Sequence, residues 1–162
     1  MAELQHVSGL SELSAALREL PQRIGRNVLR GAVSAAAAEV RNEARTKAPV
    51  YTGDVSKGHP PPGTLRRAIY QKQIRELSDN QTQVFFVGVR QGKKYQKQGK
   101  KGSLSQDAYY WRFVEFGTRT MAARPFLRPA FEASKMAAIE RMKAYLIERI
   151  PREVGQLPGA GR

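Results

Sequence analysis

Chemically reactive side chains are scattered along this chain and do not form the pattern of a catalytic or metal-binding site. The two histidines, His6 and His59, lie far apart, and neither belongs to a pattern with the spacing of a metal site or a catalytic triad. The sequence contains no cysteine, which excludes thiol nucleophiles, disulfides and cysteine-ligated metal sites. The sequence therefore predicts a protein that is not an enzyme, with no catalytic residues, no cofactor and no metal.

The residues from Tyr109 to Phe116 are suited to recognition instead, because five of them are aromatic. Large rings bury much apolar area with little loss of rotamer freedom, so they serve well in a core or as anchors of an interface. Both interpretations stay open, since different faces of one element can do each. On the interface interpretation, the residues that contact a neighbouring subunit or partner are Trp111, Phe113, Glu115, Phe116, Arg124, Phe126, Leu127 and Arg128.

Charged side chains accompany these aromatic residues. Arg124 and Arg128 are one helical turn apart, which suits two guanidinium groups that bind carboxylates of a neighbouring subunit, with Phe126 as the apolar anchor. The alternative is an ordinary helix N-terminus whose arginines point into solvent. Glu115 lies between two apolar residues and is expected to be partly buried and paired with an arginine. The candidate arginines for this pair are Arg112, Arg119, Arg124 and Arg128.

A second candidate for recognition is a flexible, glycine-containing basic segment. Between residues 90 and 101 there are six basic residues and no acidic one. Such a segment is suited to contact DNA phosphates in a channel, or an acidic neighbouring subunit. The alternative is a solvated hairpin loop whose charge only aids solubility. The basic residues are Arg90, Lys93, Lys94, Lys97, Lys100 and Lys101.

The chain as a whole is strongly basic, with 28 Lys and Arg against 14 Asp and Glu and a net charge of +14. Copies of such a protein repel each other unless salt or an anionic partner compensates, which indicates nucleic acid or an acidic protein as a partner. No apolar run approaches the roughly 18–20 residues that span a bilayer, so no membrane contact is expected. The first residues lack the pattern of a secretory signal, because charged side chains interrupt them.

Two long helices are predicted to position these residues. Apolar residues recur at near-helical spacing from Gln22 to about Lys47, and Pro49 ends that helix. A second helical pattern runs from Pro129 to about Glu153, with charged residues between the apolar positions. A shorter helix is predicted over Leu10–Leu20.

Between the long helices the sequence predicts a β-hairpin. Thr82–Arg90 carries apolar residues on both faces, which is typical of a strand that is buried on both sides or lies at an interface. This strand is predicted to pair with Tyr70–Leu77 through a turn at Ser78–Gln81. The region that begins at Thr64 is interpreted as a helical turn that feeds the first strand.

The order of these segments resembles that of a known family. The sequences from Tyr110 to Thr118 and from Arg124 to Phe131 resemble the signature of the tail-completion, or head-to-tail joining, proteins of long-tailed bacteriophages. Upstream, the leucines before Pro21, the Ala-Pro and Thr-Gly pairs within residues 48–53, and the segment Thr64–Ile69 follow the same order. Two segments depart from the family pattern, residues 54–63 and the basic residues 91–105.

The resemblance implies an α+β fold in which two long helices pack on a small antiparallel sheet, with long basic and Pro/Gly-rich loops. It implies a single tail-completion domain over residues 1–154, with loop insertions near 50–63 and 91–107. Residues 155–162 are expected to form a flexible C-terminal tail.

The resemblance also implies a function. It predicts a structural virion protein that forms a homo-oligomeric, hexameric ring at the neck or head-proximal tail end, completes the tail and permits head-tail joining. Its partners would be the tail tube or tail terminator and the head connector, with nonspecific contact to genomic DNA in the channel. Assembly would take place in the host cytoplasm. The alternative is a basic, non-sequence-specific DNA-binding protein or an assembly factor.

Overall fold

A computed structural model describes residues 22–52, 60–92 and 107–155 of the protein. Two long helices and a two-stranded antiparallel sheet dominate these residues, which confirms the predicted α+β fold. A short 3-10 helix, Arg75–Leu77, lies between the strands. In chain order the other elements are α1 (Gln22–Lys47), α2 (Thr64–Ala68), β1 (Ile69–Gln73), β2 (Phe85–Val89), α3 (Trp111–Phe116) and α4 (Leu127–Gly155).

The two long helices pack against each other in antiparallel orientation. Val28 and Ala32, near the start of α1, are buried in one cluster with Leu146 and Ile150, near the end of α4. Gly31 leaves room for the Tyr145 side chain of α4, because a Cβ atom at this position would clash with the Tyr145 ring and hydroxyl group. Helix α1 matches its predicted range, whereas α4 begins two residues before Pro129.

The sheet packs on α1. Its first strand, β1, follows directly after α2, which agrees with the prediction of a helical turn that leads into a strand. Strands β1 and β2 are antiparallel, with Ile69 opposite Val89. The Gln71 side-chain amide donates hydrogen bonds to the backbone and hydroxyl oxygens of Ser34 on α1, both at 3.1 Å. The hairpin prediction is therefore confirmed, although both strands are shorter than predicted.

A single carboxylate organises the turn of this hairpin. Asp79 accepts hydrogen bonds from the backbone N–H groups of Gln81 (2.7 Å) and Thr82 (2.6 Å). These bonds stabilise the ionised form and lower the pKa of Asp79. The turn is thus held by local polar contacts, at an exposed end of the sheet.

The main core lies where the end of α1, the start of α4, α2 and the sheet meet. Phe126 has the largest of its fully buried side chains. Small residues make up much of the rest of this cluster, whose members include residues of α1, α2, both strands and α4. The buried members are Ala44, Ala48, Leu65, Ala68, Ile69, Val89, Ala108, Phe126 and Ala130.

Several predictions concern residues outside the described ranges. They are the helix over Leu10–Leu20, most of the proline-rich insertion, the C-terminal tail from residue 156 and the five lysines from Lys93 to Lys101. The division into one domain over residues 1–154 and a tail also stays a prediction. Within the described ranges, no helix is both long and apolar enough to cross a membrane.

Candidate functional site

The aromatic segment forms the short helix α3, which ends in a backbone conformation that favours glycine. The Gly117 N–H donates to the Phe113 carbonyl at 2.9 Å, and Gly117 has φ 75° and ψ 179°. This region of backbone space is essentially closed to other residues. A Cβ atom on Gly117 would also lie 2.9 Å from the backbone nitrogen of Ala123 and from the Met121 carbonyl oxygen. Gly117 therefore lets the chain turn back tightly toward α4.

We expect Gly117→Ala to lower the free energy of unfolding by about 2–3 kcal/mol, because it adds backbone strain and a clash with main-chain atoms. Gly92→Ala is the matched control. Gly92 also has a positive φ of 106°, but no described atom lies within 4 Å of its Cβ position. Urea unfolding should show a clearly smaller loss for Gly92→Ala. Equal losses would mean that the close contact at Gly117 has no cost.

The turn brings the start of α4 back to Glu115, which lies in α3. The Glu115 carboxylate caps the N-terminus of α4. Glu115 is buried and accepts hydrogen bonds from the backbone N–H groups of Phe126 (2.7 Å), Leu127 (3.1 Å) and Arg128 (3.3 Å). These are all the backbone donors between Pro125 and Pro129, since proline has no N–H. The next donor, Ala130, already bonds to the Phe126 carbonyl at 3.1 Å. The first turn of α4 is therefore fully satisfied.

The predicted ion pair between Glu115 and an arginine was wrong. None of the ion pairs among the described residues involves Glu115, and Arg124 and Arg128 are exposed. Three backbone donors held in place by a helix end bind a buried carboxylate without ordering a long side chain. The carboxylate also offsets the unfavourable placement of arginines near the positive end of the helix dipole. It joins α3 to α4 across the intervening turn.

The structure also corrects the role of Phe126. Its side chain is 0% exposed, and it lies in the main core with Leu65 and Ile69. It cannot anchor a neighbouring subunit from this position. The Phe126 backbone N–H donates to the buried Glu115 carboxylate, and this bond holds Phe126 in the protein interior. The local sequence does not indicate this bond.

The remaining aromatic side chains divide between the two interpretations. Trp111 is half-buried, and its indole N–H donates to the Gln91 side chain at 3.0 Å, while the Arg112 guanidinium lies 5.5 Å from its ring centre. Phe113 and Phe116 are 52% and 74% exposed. One face of α3 therefore faces the protein, whereas the other presents two phenyl rings to solvent.

Beside the exposed rings lies a concave pocket of about 410 Å³, mainly apolar. Phe113 lines it, and among the lining residues that the structure describes Arg124 is the one with a charged side chain. Phe116 and Arg128 are not among the lining residues, so the structure brings only part of the predicted interface set together. The lining residues are Pro49, Val50, Tyr51, Leu65, Tyr110, Phe113, Val114, Met121, Ala122 and Arg124.

The sequence of this chain matches a known protein family. The family model described as "Bacteriophage HK97-gp10, putative tail-component" matches residues 11–117, about two thirds of the chain. The chain belongs to the HK97-gp10-like family. This confirms the resemblance to phage tail proteins, and the matched residues run from before α1 to the glycine that ends α3. No curated protein and no solved structure matches the chain.

Membership of the HK97-gp10-like family makes this protein a structural component of a bacteriophage tail, and its location is the virion. A tail component contacts other structural proteins of the particle. The exposed aromatic rings and the adjacent pocket are apolar surface of the kind that occurs in contacts between proteins.

This HK97-gp10-like protein also has a basic site that the sequence analysis missed. Arg45, Arg66, Arg67 and Arg90 line a second, open pocket of about 380 Å³. Among these, only Arg90 belongs to the predicted basic segment. The others come from α1 and α2, so only the fold brings the four together, and the adjacent pair Arg66-Arg67 was the one local indication. We call this site the arginine pocket.

Proposed function

We propose that this tail component forms a homo-oligomeric ring of six copies at the neck or the head-proximal end of the tail, where it completes the tail and permits head-tail joining. The family membership supports a role in the tail. The observation that carries the proposal is that one chain has both an exposed ring, Phe116, and an apolar pocket that this ring does not line.

We propose that each pocket takes up the Phe116 ring of the neighbouring copy. Phe116 is 74% exposed and does not line the pocket of its own chain, so it is available as a projection. An apolar projection that fits a pocket elsewhere on an identical subunit makes a head-to-tail contact, and repetition of that contact closes a ring when the rotation permits. Phe113 would contact the incoming ring, and Arg124 would bind a polar group at the pocket edge.

We expect Phe116→Asp to leave the subunit folded and to abolish productive tail completion. Phe116 is exposed, so its loss has little effect on the core, whereas loss of an interface anchor costs about 2 kcal/mol or more, about thirtyfold in affinity at each contact. The measurements are circular dichroism of the purified variant, and the infectious titre and head-tail joining of phage that carry it.

Leu77→Asp is the matched control, because Leu77 is 62% exposed but lies far along the chain, between the strands. It should support normal titres. Normal numbers of infectious particles from the Phe116→Asp phage would argue decisively against this contact. Electron cryomicroscopy of purified particles gives the location: a closed ring between tail tube and head is expected, and absence of the protein from every particle would contradict the ring.

The second candidate function is that of a basic, non-sequence-specific DNA-binding protein or assembly factor. The net charge of +14 and the arginine pocket favour it. The two functions are compatible, because DNA that enters the head or leaves it would pass through a ring at the neck. The contribution of Lys93, Lys94, Lys97, Lys100 and Lys101 to this contact stays a prediction.

A further inference from the structure

The outer edge of strand β2 presents backbone groups that no described residue binds. At the end of this strand, the Arg90 N–H donates at 2.9 Å to the carbonyl of Ala68, which directly precedes β1. Bonded and non-bonded positions alternate along an antiparallel pair, so the N–H and C=O groups of Phe85 and Val87 point away from β1. Among the described residues, none donates to these groups or accepts from them. Unpaired strand edges of this kind are templates for a further strand.

This edge borders an apolar groove of about 490 Å³ between β2 and α4. Val33 and Val40 of α1 form its floor, and Phe85 and Val87 of β2 form one wall. The other wall is α4, whose Phe131 side chain is 53% exposed. None of the described lining residues belongs to β1, which lies on the far side of β2. The unpaired edge therefore faces the groove, and we call the two together the edge groove.

We propose that the edge groove binds an extended segment of an acidic partner protein, which joins the sheet as a third strand beside β2. The unpaired backbone groups of Phe85 and Val87 are two residues apart, a spacing that another extended chain matches. Successive side chains of a strand point to opposite faces, so every second side chain of the segment would lie against α1 and Phe131. Because the groove is apolar there, these positions of the segment favour apolar residues.

Charge indicates which kind of chain supplies the segment. The protein has a net charge of +14, so a second copy would be repelled, whereas an acidic partner would be attracted. Among the described lining residues, Lys135 is the one with a charged side chain. It pairs with Glu132 at 2.9 Å, and both side chains are exposed. Exposed pairs of this kind contribute little, so a carboxylate of the incoming segment can compete for Lys135.

The first test is amide hydrogen exchange of the isolated full chain, followed by NMR. Phe86 and Gly88 lie opposite Lys72 and Tyr70 at bonded positions of the ladder, so their amides should exchange slowly. The Val87 amide lies between them in the same strand and serves as the comparison. We expect it to exchange at least about tenfold faster than its two neighbours. Equally slow exchange at Val87 would show that the chain's own residues already pair with this edge, and would overturn the proposal.

The second test compares two substitutions on exposed positions of α4. Phe131→Glu places a negative charge in the edge groove, whereas Met136→Glu makes the same change in charge at a residue that does not line it. Quantitative mass spectrometry of purified tails should find at least about tenfold less of the Phe131→Glu protein, through loss of an apolar anchor and repulsion of an acidic segment. Met136→Glu should be incorporated normally. Equal incorporation of the two variants would contradict the proposal.

Electron cryomicroscopy of particles with the unchanged protein identifies the occupant, even if the Phe131→Glu variant does not fold. A strand of a different protein should pair with Phe85 and Val87 and place an acidic side chain near Lys135. An empty groove, a groove filled by a second copy, or one filled by the chain's own residues would overturn the proposal. It rests on the assignment to the phage tail and not on the ring, so a bound strand can be present whether or not the copies form a ring.

Discussion

Phe126→Ala is expected to lower the free energy of unfolding by about 3–5 kcal/mol, the usual cost of removing a buried phenyl ring. Phe126 is 0% exposed and is packed in a cluster that consists largely of alanines. Small neighbours on rigid helices have few rotamers with which to fill the cavity, so the site will collapse little. Because small domains are stable by only about 5–15 kcal/mol, this variant should be far less stable to urea and heat.

Phe116→Ala is the control for this experiment, since the same atoms are removed from a side chain that is 74% exposed. Its urea midpoint should stay close to that of the unchanged protein. If Phe116 forms the proposed ring contact, the two variants should separate stability from assembly, because Phe126→Ala would affect the first and Phe116→Ala the second. A Phe126→Ala variant as stable as Phe116→Ala would show that the core described around Phe126 does not exist.

Glu115→Gln is expected to lower the free energy of unfolding by about 2–3 kcal/mol, through loss of a buried, charged cap. Glutamine has nearly the shape of glutamate, but one carboxylate oxygen becomes an N–H₂ group. That group would face backbone donors at the start of α4, where Glu115 now accepts three hydrogen bonds. Urea unfolding measures the loss, and hydrogen exchange should show faster exchange of the Phe126, Leu127 and Arg128 amides.

Glu140→Gln provides the comparison, because Glu140 lies on the same helix α4 with an exposed side chain and forms a surface ion pair with Lys143. Surface pairs of this kind contribute little to stability. We expect its urea midpoint to stay nearly unchanged. If Glu115→Gln proved equally harmless, the carboxylate at Glu115 would have no role as a cap.

The sequence predicts the elements that depend on local periodicity. Apolar spacing gave α1 with its observed bounds, and the alternation in Thr82–Arg90 indicated the strand that pairs with β1. The sequence pattern predicts the start of α4 at Pro129, two residues late, because the cap that begins the helix is the side chain of Glu115 and not a proline. Glu115 accepts its bonds from residues that follow it by 11 to 13 positions, which is beyond the reach of a periodic pattern.

The candidate site was harder to predict than the fold. Phe113, Phe116 and Phe126 have the same side chain and lie close together in sequence, yet only Phe126 is buried. The turn at Gly117 and the cap at Glu115 decide which ring faces the interior. The arginine pocket was beyond prediction for a different reason, since its members come from segments that meet only after α1, α2 and the sheet have packed.

The cap at Glu115 depends on backbone N–H groups and not on the side chains of the residues that donate them. Every amino acid except proline offers the same backbone N–H, so Leu127 and Arg128 contribute to the cap whatever their side chains are. Proline alone is excluded from these positions. Changes at the exposed residue Arg128 can therefore alter the charge and shape of this edge of the protein, while the path of the backbone stays constant.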